Sequence, residues 1–426
     1  MIRATFRWAA AATLVLVVGT AIALVAEDAP PALVERTVKS LGKLKEGAGE
    51  PMINSIGSRM AYVLYREKKQ VLVCDGREGR EYLGISGLHF SPDGGRLAYL
   101  AQNTLSGSTF VCDGVEIRGH GMYPFTFSPD GRHTVYRSDA TMRDGRPEGD
   151  CPMTGKAFAF SPDSRRLAYV TYSCIICDGK KGPEVEKGGV LGDPVWAPDS
   201  RSYAHTVSQG DKIGDRWVVF WADKKVGGPY DMVEGIVFAP DSKRIVYRAL
   251  AKDKWSVVVN DKKGPGFSNI GTIVFSGDNK HMAYRACDDD GWFVVCDGKK
   301  GPAYTDVGDP VFSADGKHMA YRAVKDGKAL VICDDRETAS FDEITWVGFA
   351  QNGNHLAFAA GRGNNKFVVC DGVEGPPHER LMVPERPFEV VAKLRYVVIE
   401  KAEASLLEVD WPADRIWENA FSPSAK

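Results

Sequence analysis

Apolar residues along this chain fall in runs of four to seven, rich in Val, Ile, Tyr and Phe, separated by clusters of Gly, Asp, Pro and Lys. Runs of that length and content predict β-strands. Residues 309–346 show the pattern in one stretch: PVF, a Ser-Ala-Asp-Gly turn, HMAYRAV, a KDGK turn, ALVIC, a DDRE turn and a short last segment. The stretch recurs. An aromatic residue followed by a Ser-Pro-Asp-Gly-like turn and an apolar strand begins at Phe90, Phe127, Phe160, Trp196, Phe238, Phe275, Phe312 and Phe349. The intervals are 37, 33, 36, 42, 37, 37 and 37 residues. Degenerate copies start at Ile53 (INSIGSRMAY) and near Phe388 (FEVVAKLRY). In the SPDG phrase Pro sets φ and Gly permits a left-handed conformation, so each copy closes a hairpin.

A period of roughly 20 to 50 residues marks a repeat architecture whose units bury their apolar faces on one another. Four short antiparallel strands per unit, arranged around an axis, predict an all-β chain forming a single β-propeller. About nine four-stranded blades are expected, within a range of eight to ten. The expected layout is a signal peptide or membrane anchor over 1–26, a linker or short helix over 27–50, repeats over 51–411 and a tail over 412–426.

The phrases FSPDGGRLAY, FSPDGRHTVY, FSPDSRRLAY and FAPDSKRIVY resemble the repeats of TolB-type and related WD-like bacterial propellers. The second phrase, VVCDGKKGPAY with its siblings IICDGKKGPEV and VVCDGVEGPP, looks like a variant from uncharacterised bacterial repeat proteins. The resemblance covers residues 50–411 and implies a platform for protein or ligand binding. It also implies that the SPDG strand is innermost, with the SPDG and CDG turns on one face. The turns between second and third strands then share the opposite face, the usual binding face of that family.

Charge excludes one class of partner: 54 Lys and Arg balance 56 Asp and Glu, so no global field draws the chain to nucleic acid. Arg3 and Arg7 precede an uncharged run from Trp8 to Ala26, which reads as a secretory signal or an uncleaved anchor. The protein is expected outside the cytoplasm, periplasmic or extracellular, tethered to the membrane through residues 8–26 if they are retained. Six of the nine cysteines hold one repeat position before Asp: Cys74, Cys112, Cys177, Cys296, Cys333 and Cys370. They lie too far apart for disulfides and read as small buried hydrophobes. Cys151 and Cys174, which flank the first two strands of one repeat, are expected to form a bridge. His133, His281, His318 and His355 share a slot that holds Arg96 and Arg166 in other repeats, which reads as a surface position and not a metal ligand.

On the predicted binding face, Arg137, Arg248, Arg285 and Arg322 follow the tyrosine of the second strand, and Trp255 and Trp292 sit at matching turn positions. Arginine beside tryptophan suits carboxylates, acidic peptides or sugars, through bidentate bonds and stacking. The alternative is that these arginines bridge neighbouring repeats and the tryptophans pack between blades. Asp288, Asp289 and Asp290 lack the spaced ligands of a calcium loop. Paired lysines at 180–181, 224–225, 262–263 and 299–300 read as solvated hairpin residues or as a contact for an anionic surface. The chain has no GxSxG, HExxH or Walker loop. The expected function is therefore non-catalytic binding of a protein or cell-envelope component by a monomer, without a cofactor. A metal-dependent enzyme of lactonase or lyase type, built in the channel, and a purely structural module are the alternatives.

Overall fold

The computed structural model describes residues 33–411 and 422–423, apart from 105–106, 119–123, 138–139, 149–156, 186–188, 210–215, 386 and 388–392. Ten antiparallel sheets of four strands follow one another along these residues, and no helix occurs among them. They are the blades of a β-propeller. Blades 1 to 9 span residues 52–82, 84–118, 125–147, 158–181, 195–230, 232–267, 269–300, 306–337 and 343–374. Blade 8 has its first strand split into Asp306–Val307 and Val311–Phe312, and its outer edge carries an added strand, Ser422–Pro423. Blade 10 takes three strands from 380–410 and its fourth from Glu35–Lys43.

Both degenerate copies therefore make complete blades, and the ring has ten rather than about nine. The segment expected as a linker or short helix instead holds the closing strand, Glu35–Lys43, paired along Glu403–Asp410. Leu41, Val397, Ile399 and Leu406 of blade 10 pack with Met60, Tyr62 and Val71 of blade 1, which completes the ring. The first strands of neighbouring blades approach one another, as Phe125–Phe127 does Phe158–Phe160. Fourth strands such as Lys262–Phe267 are mostly exposed, so the SPDG strand is innermost as expected.

Local chemistry explains each hairpin. In blade 3 Ser128 Oγ donates to Asp130 Oδ1 at 2.5 Å and accepts from His133 N at 2.9 Å, while Gly131 takes φ +72°. The third and fourth strands join through Asp-Gly pairs such as Asp297 (φ +49°) and Gly298 (φ +79°), the signature of a tight two-residue hairpin. In the AY phrase, Ala and Tyr point to opposite faces of the sheet. Ala283 packs toward blade 8 beside Tyr321, and Tyr284 packs back toward blade 6 beside Val246.

Two ladders join the blades. On the SPDG face the Arg/His slot reaches the aromatic anchor of the next blade. Arg59 lies over Phe90, Arg96 over Phe127, Arg166 over Trp196 and Arg244 over Phe275, with guanidinium-to-centroid distances of 5.5, 5.4, 4.8 and 5.3 Å. His281 and His318 stand beside Phe312 and Phe349, each with centroids 6.3 Å apart. Where the slot fails, another residue takes over: Arg143 covers Phe160, and Trp221 meets Phe238 edge-on. Blade 10 has no aromatic anchor in its first strand, and Trp411 supplies the ring that stacks on His355 at 4.8 Å. The second ladder sets an aromatic at or beyond the end of a fourth strand against the next blade's AY or AF ring, as in Tyr230–Tyr247, Phe267–Tyr284, Tyr304–Tyr321 and Phe341–Phe358.

Candidate functional site

The recurring Arg, His, Cys and Asp residues of the SPDG face are spent on structure. Arg96 Nε donates to Asp113 at 2.8 Å, its Nη1 to the Arg132 carbonyl of the next blade at 2.8 Å, and its Nη2 to Cys112 Sγ at 3.1 Å. Arg59 and Arg166 repeat the set. His133, His281, His318 and His355 each donate from Nδ1 to the Asp of the facing hairpin, at 2.6–2.7 Å. The slot is thus an interblade clamp, more than the surface position its sequence implied. Burial pushes the Cys112, Cys177 and Cys296 thiols up to about 11, so they stay protonated and are poor nucleophiles. Cys174 is a buried free thiol with Sγ 3.4 Å from Thr171 Oγ1. Cys151, its expected partner, lies outside the described residues.

Arg248, Arg285 and Arg322 stand at the middle of the second strands of three successive blades, three residues short of the turns where the sequence placed them. Each is already engaged. Arg248 Nη2 donates to Glu234 at 3.0 Å and its Nη1 to the Ile270 carbonyl of the next blade at 2.6 Å. Arg285 Nη1 donates to the Val307 carbonyl at 3.1 Å, and its Nε lies 2.9 Å from Asp309. Arg322 pairs with Asp306. Trp255 and Trp292 are half-buried beneath Arg248 and Arg285, at 5.9 and 5.2 Å from the guanidinium carbons. Arg137 ends its strand in blade 3, where its backbone N donates to the Pro124 carbonyl. It stands four blades before Arg285. Lys300 bridges Asp288 and Asp290, at 2.6 and 3.4 Å, so two carboxylates of that turn share one lysine of their own blade.

Sequence reasoning did not anticipate a groove between blades 7 and 8. It encloses about 910 Å³ and runs from the Asp290–Gly291 turn past Pro302, Tyr304 and Val324 to the Asp334–Glu337 hairpin. Tyr304, which lines it, pairs through its backbone with Trp292 of the predicted site. The fourth strand of blade 7, Lys299–Lys300, is two residues long, against six in blade 6. Beyond it the chain returns to the third strand at Gly301 and Tyr304, and Pro302 and Ala303 between them line the groove. Asp290, Asp326, Asp334, Asp335 and Glu337 line it against Lys325 and Arg336, so its field is negative.

Two buried histidines also lay outside the sequence reading. His205, on the second strand of blade 5, stacks on Phe220 with centroids 5.5 Å apart, and its Nδ1 has no hydrogen-bond partner. Burial lowers its pKa to about 4. His378 stands 37 residues after Phe341, at the ladder position before blade 10. Its Nδ1 lies 2.7 Å from Glu400 and its Nε2 2.9 Å from Glu35 of the closing strand, which also binds the Tyr396 hydroxyl. Both ring nitrogens face carboxylates, so both must donate and the ring carries a charge. Burial opposes that charge, but Glu35 and Glu400 outweigh it and hold the pKa above its usual 6.5.

No protein family's sequence profile matches this chain, and no curated protein matches it. Among solved structures, a eukaryotic initiation factor is similar at 12% identity and TM-score 0.45, over 78% of this chain and 87% of that one. Dipeptidyl peptidase 4 of Porphyromonas gingivalis is similar at 11% identity and TM-score 0.40, over 76% of this chain and 65% of that one. The β-propeller domain of the Trilobed protease from Pyrococcus furiosus, described as having an open velcro topology, is similar at 13% identity and TM-score 0.32, over 69% and 96%. At these identities and scores nothing of those proteins' activities passes to this chain.

Proposed function

We propose that the chain is an exported, non-catalytic β-propeller that binds a protein or cell-envelope component on the face bearing Trp255 and Trp292 and along the groove that runs from it between blades 7 and 8. The observation that supports this reading is the groove itself. Its size is that of a ligand cleft, Tyr304 and Pro302 line it, and the backbone bridge from Tyr304 to Trp292 fixes that wall before any partner arrives. Arg248 and Arg322 already hold carboxylates of their own blades and Arg285 holds Asp309 of the next, so an acidic ligand would have to displace them. A partner that offers a basic or neutral segment meets the acidic lining without that cost.

The test is affinity for a captured envelope partner, compared between the native chain and the variant Trp255→Ala, Trp292→Ala, Asp290→Lys. Anchors of this kind each contribute about 2 kcal/mol or more, so a loss of roughly 30-fold or greater is expected. An unchanged affinity, with the thermal transition of the ring retained, would reject this face as the site.

A further inference from the structure

The SPDG face carries a second surface of different chemistry. All four lysine pairs lie there, at the start of the exposed fourth strands of blades 4 to 7. Lys300 is held by Asp288 and Asp290, but the other seven lysines form no ion pair among the described residues. Nearer the axis Arg132, Arg165, Arg201 and Lys243 project from the turns of blades 3 to 6, exposed and likewise without an ion pair. The neighbouring aspartates of those turns accept the amides of Arg132, Arg165, Arg201 and Lys243, which ties them into the hairpins. A pocket of about 580 Å³ between blades 7 and 8 opens beside this arc, lined by Lys299, Lys300, Lys317, His281 and His318 with Asp297 and Asp334.

A separate observation concerns where the chain enters the ring. Glu35 pairs with Val409, at the end of blade 10 where Lys393 begins the second strand, and Lys43 pairs with Glu403 at the other end. The closing strand therefore starts on the SPDG face. The uncharged run Trp8–Ala26 precedes it by few residues, and that run reads as an export signal or anchor. Entry point and cations share one face.

We propose that this face rests on an anionic lipid surface, with lipid phosphates along the lysine arc. The negative potential of such a surface draws each lysine that comes within a Debye length, about 8 Å at physiological salt. The cations form an arc across five blades, and the exposed tyrosines Tyr65 and Tyr172 stand near the turns after second strands, on the opposite face. A plane of phosphates fits that arrangement; single-stranded nucleic acid would call for aromatic platforms between the cations.

The experiment places the full chain in vesicles of phosphatidylethanolamine with phosphatidylglycerol, or of phosphatidylcholine alone, and follows lysine labelling by a membrane-impermeant amine reagent. Lys252, exposed on the opposite face, serves as the internal reference. Lys180, Lys181, Lys224 and Lys225 should label roughly threefold or more slowly on the anionic vesicles, and high salt should remove the difference. The variant Lys224→Glu, Lys225→Glu, Lys262→Glu, Lys263→Glu should restore labelling at Lys180 and Lys181. Equal labelling on both vesicles, whether both protected or both open, would overturn the proposal, because charge would then not be what holds the face. Protection by added single-stranded nucleic acid in place of lipid would overturn it as well.

Discussion

At the scale of the residue, one side chain joins four functions that the sequence shows only as a repeated letter. Arg96 caps its own hairpin through Asp113, meets Cys112, bonds the next blade's carbonyl and covers the next blade's Phe127. Bonds to a charged group contribute about 1.5–3 kcal/mol and an exposed cation–π contact about 0.5–1 kcal/mol, so Arg96→Ala should cost about 2 kcal/mol in urea unfolding. A loss within experimental error would mean the clamp is not a working contact. His205 makes the opposite kind of contribution, because it is buried neutral. Its pKa falls from 6.5 in the open chain to about 4 in the ring, so stability is whole above 6.5 and drains as pH falls toward 4. The loss is on the order of 3 kcal/mol, and His205→Phe, which keeps the stack on Phe220, should remove that part of the acid sensitivity. Stability measured across that range for both proteins checks it. The Arg/His slot was legible as a recurring position. Its role was not, because its partners stand in another hairpin and another blade.

At the scale of the element, the ring depends on a strand taken from the chain's other end. Glu35–Lys43 completes blade 10, and His378 latches it by bridging Glu35 and Glu400. The pKa of His378 is raised, so the latch is complete below 6.5 and weakens as pH rises through the raised value. His378→Phe restores the ring found at Phe267 and Phe341 but cannot titrate. Its unfolding midpoint should therefore change less than the native one between mildly acidic and alkaline pH. Protection of the Glu35–Lys43 amides, corrected for the intrinsic pH dependence of exchange, should fall over the same range, and a protection factor that ignores pH in the native chain would exclude the latch. Strand content and the hairpins were readable from Asp-Gly pairs and apolar runs. The closing strand was not, because KSLGKLKEG carries charges at a spacing that also suits a helix and its partner lies more than 360 residues away. The same reason hid blade 10: its clamp ring, Trp411, comes from the end of the third strand instead of an SPDG anchor.

At the scale of the whole molecule, the two faces carry different chemistries and should fail separately. Reversing Lys224, Lys225, Lys262 and Lys263 should leave partner affinity unchanged, while the Trp255, Trp292 and Asp290 variant should leave vesicle protection unchanged. Coupled losses in both assays would point to a ring that deforms as a unit rather than to two independent surfaces. The sequence alone determined the architecture, because a repeated pattern of short apolar runs and turn residues has few ways to bury itself other than blade on blade. It also determined which residues recur on which face, since strand alternation and turn order follow from the chain's direction. Only the tertiary structure decided the number of blades, because closure is a property of both ends meeting. It decided too that Arg248, Arg285 and Arg322 are held by neighbouring carboxylates and that a groove opens between blades 7 and 8. Those facts depend on pairs of blades, and no single repeat contains them.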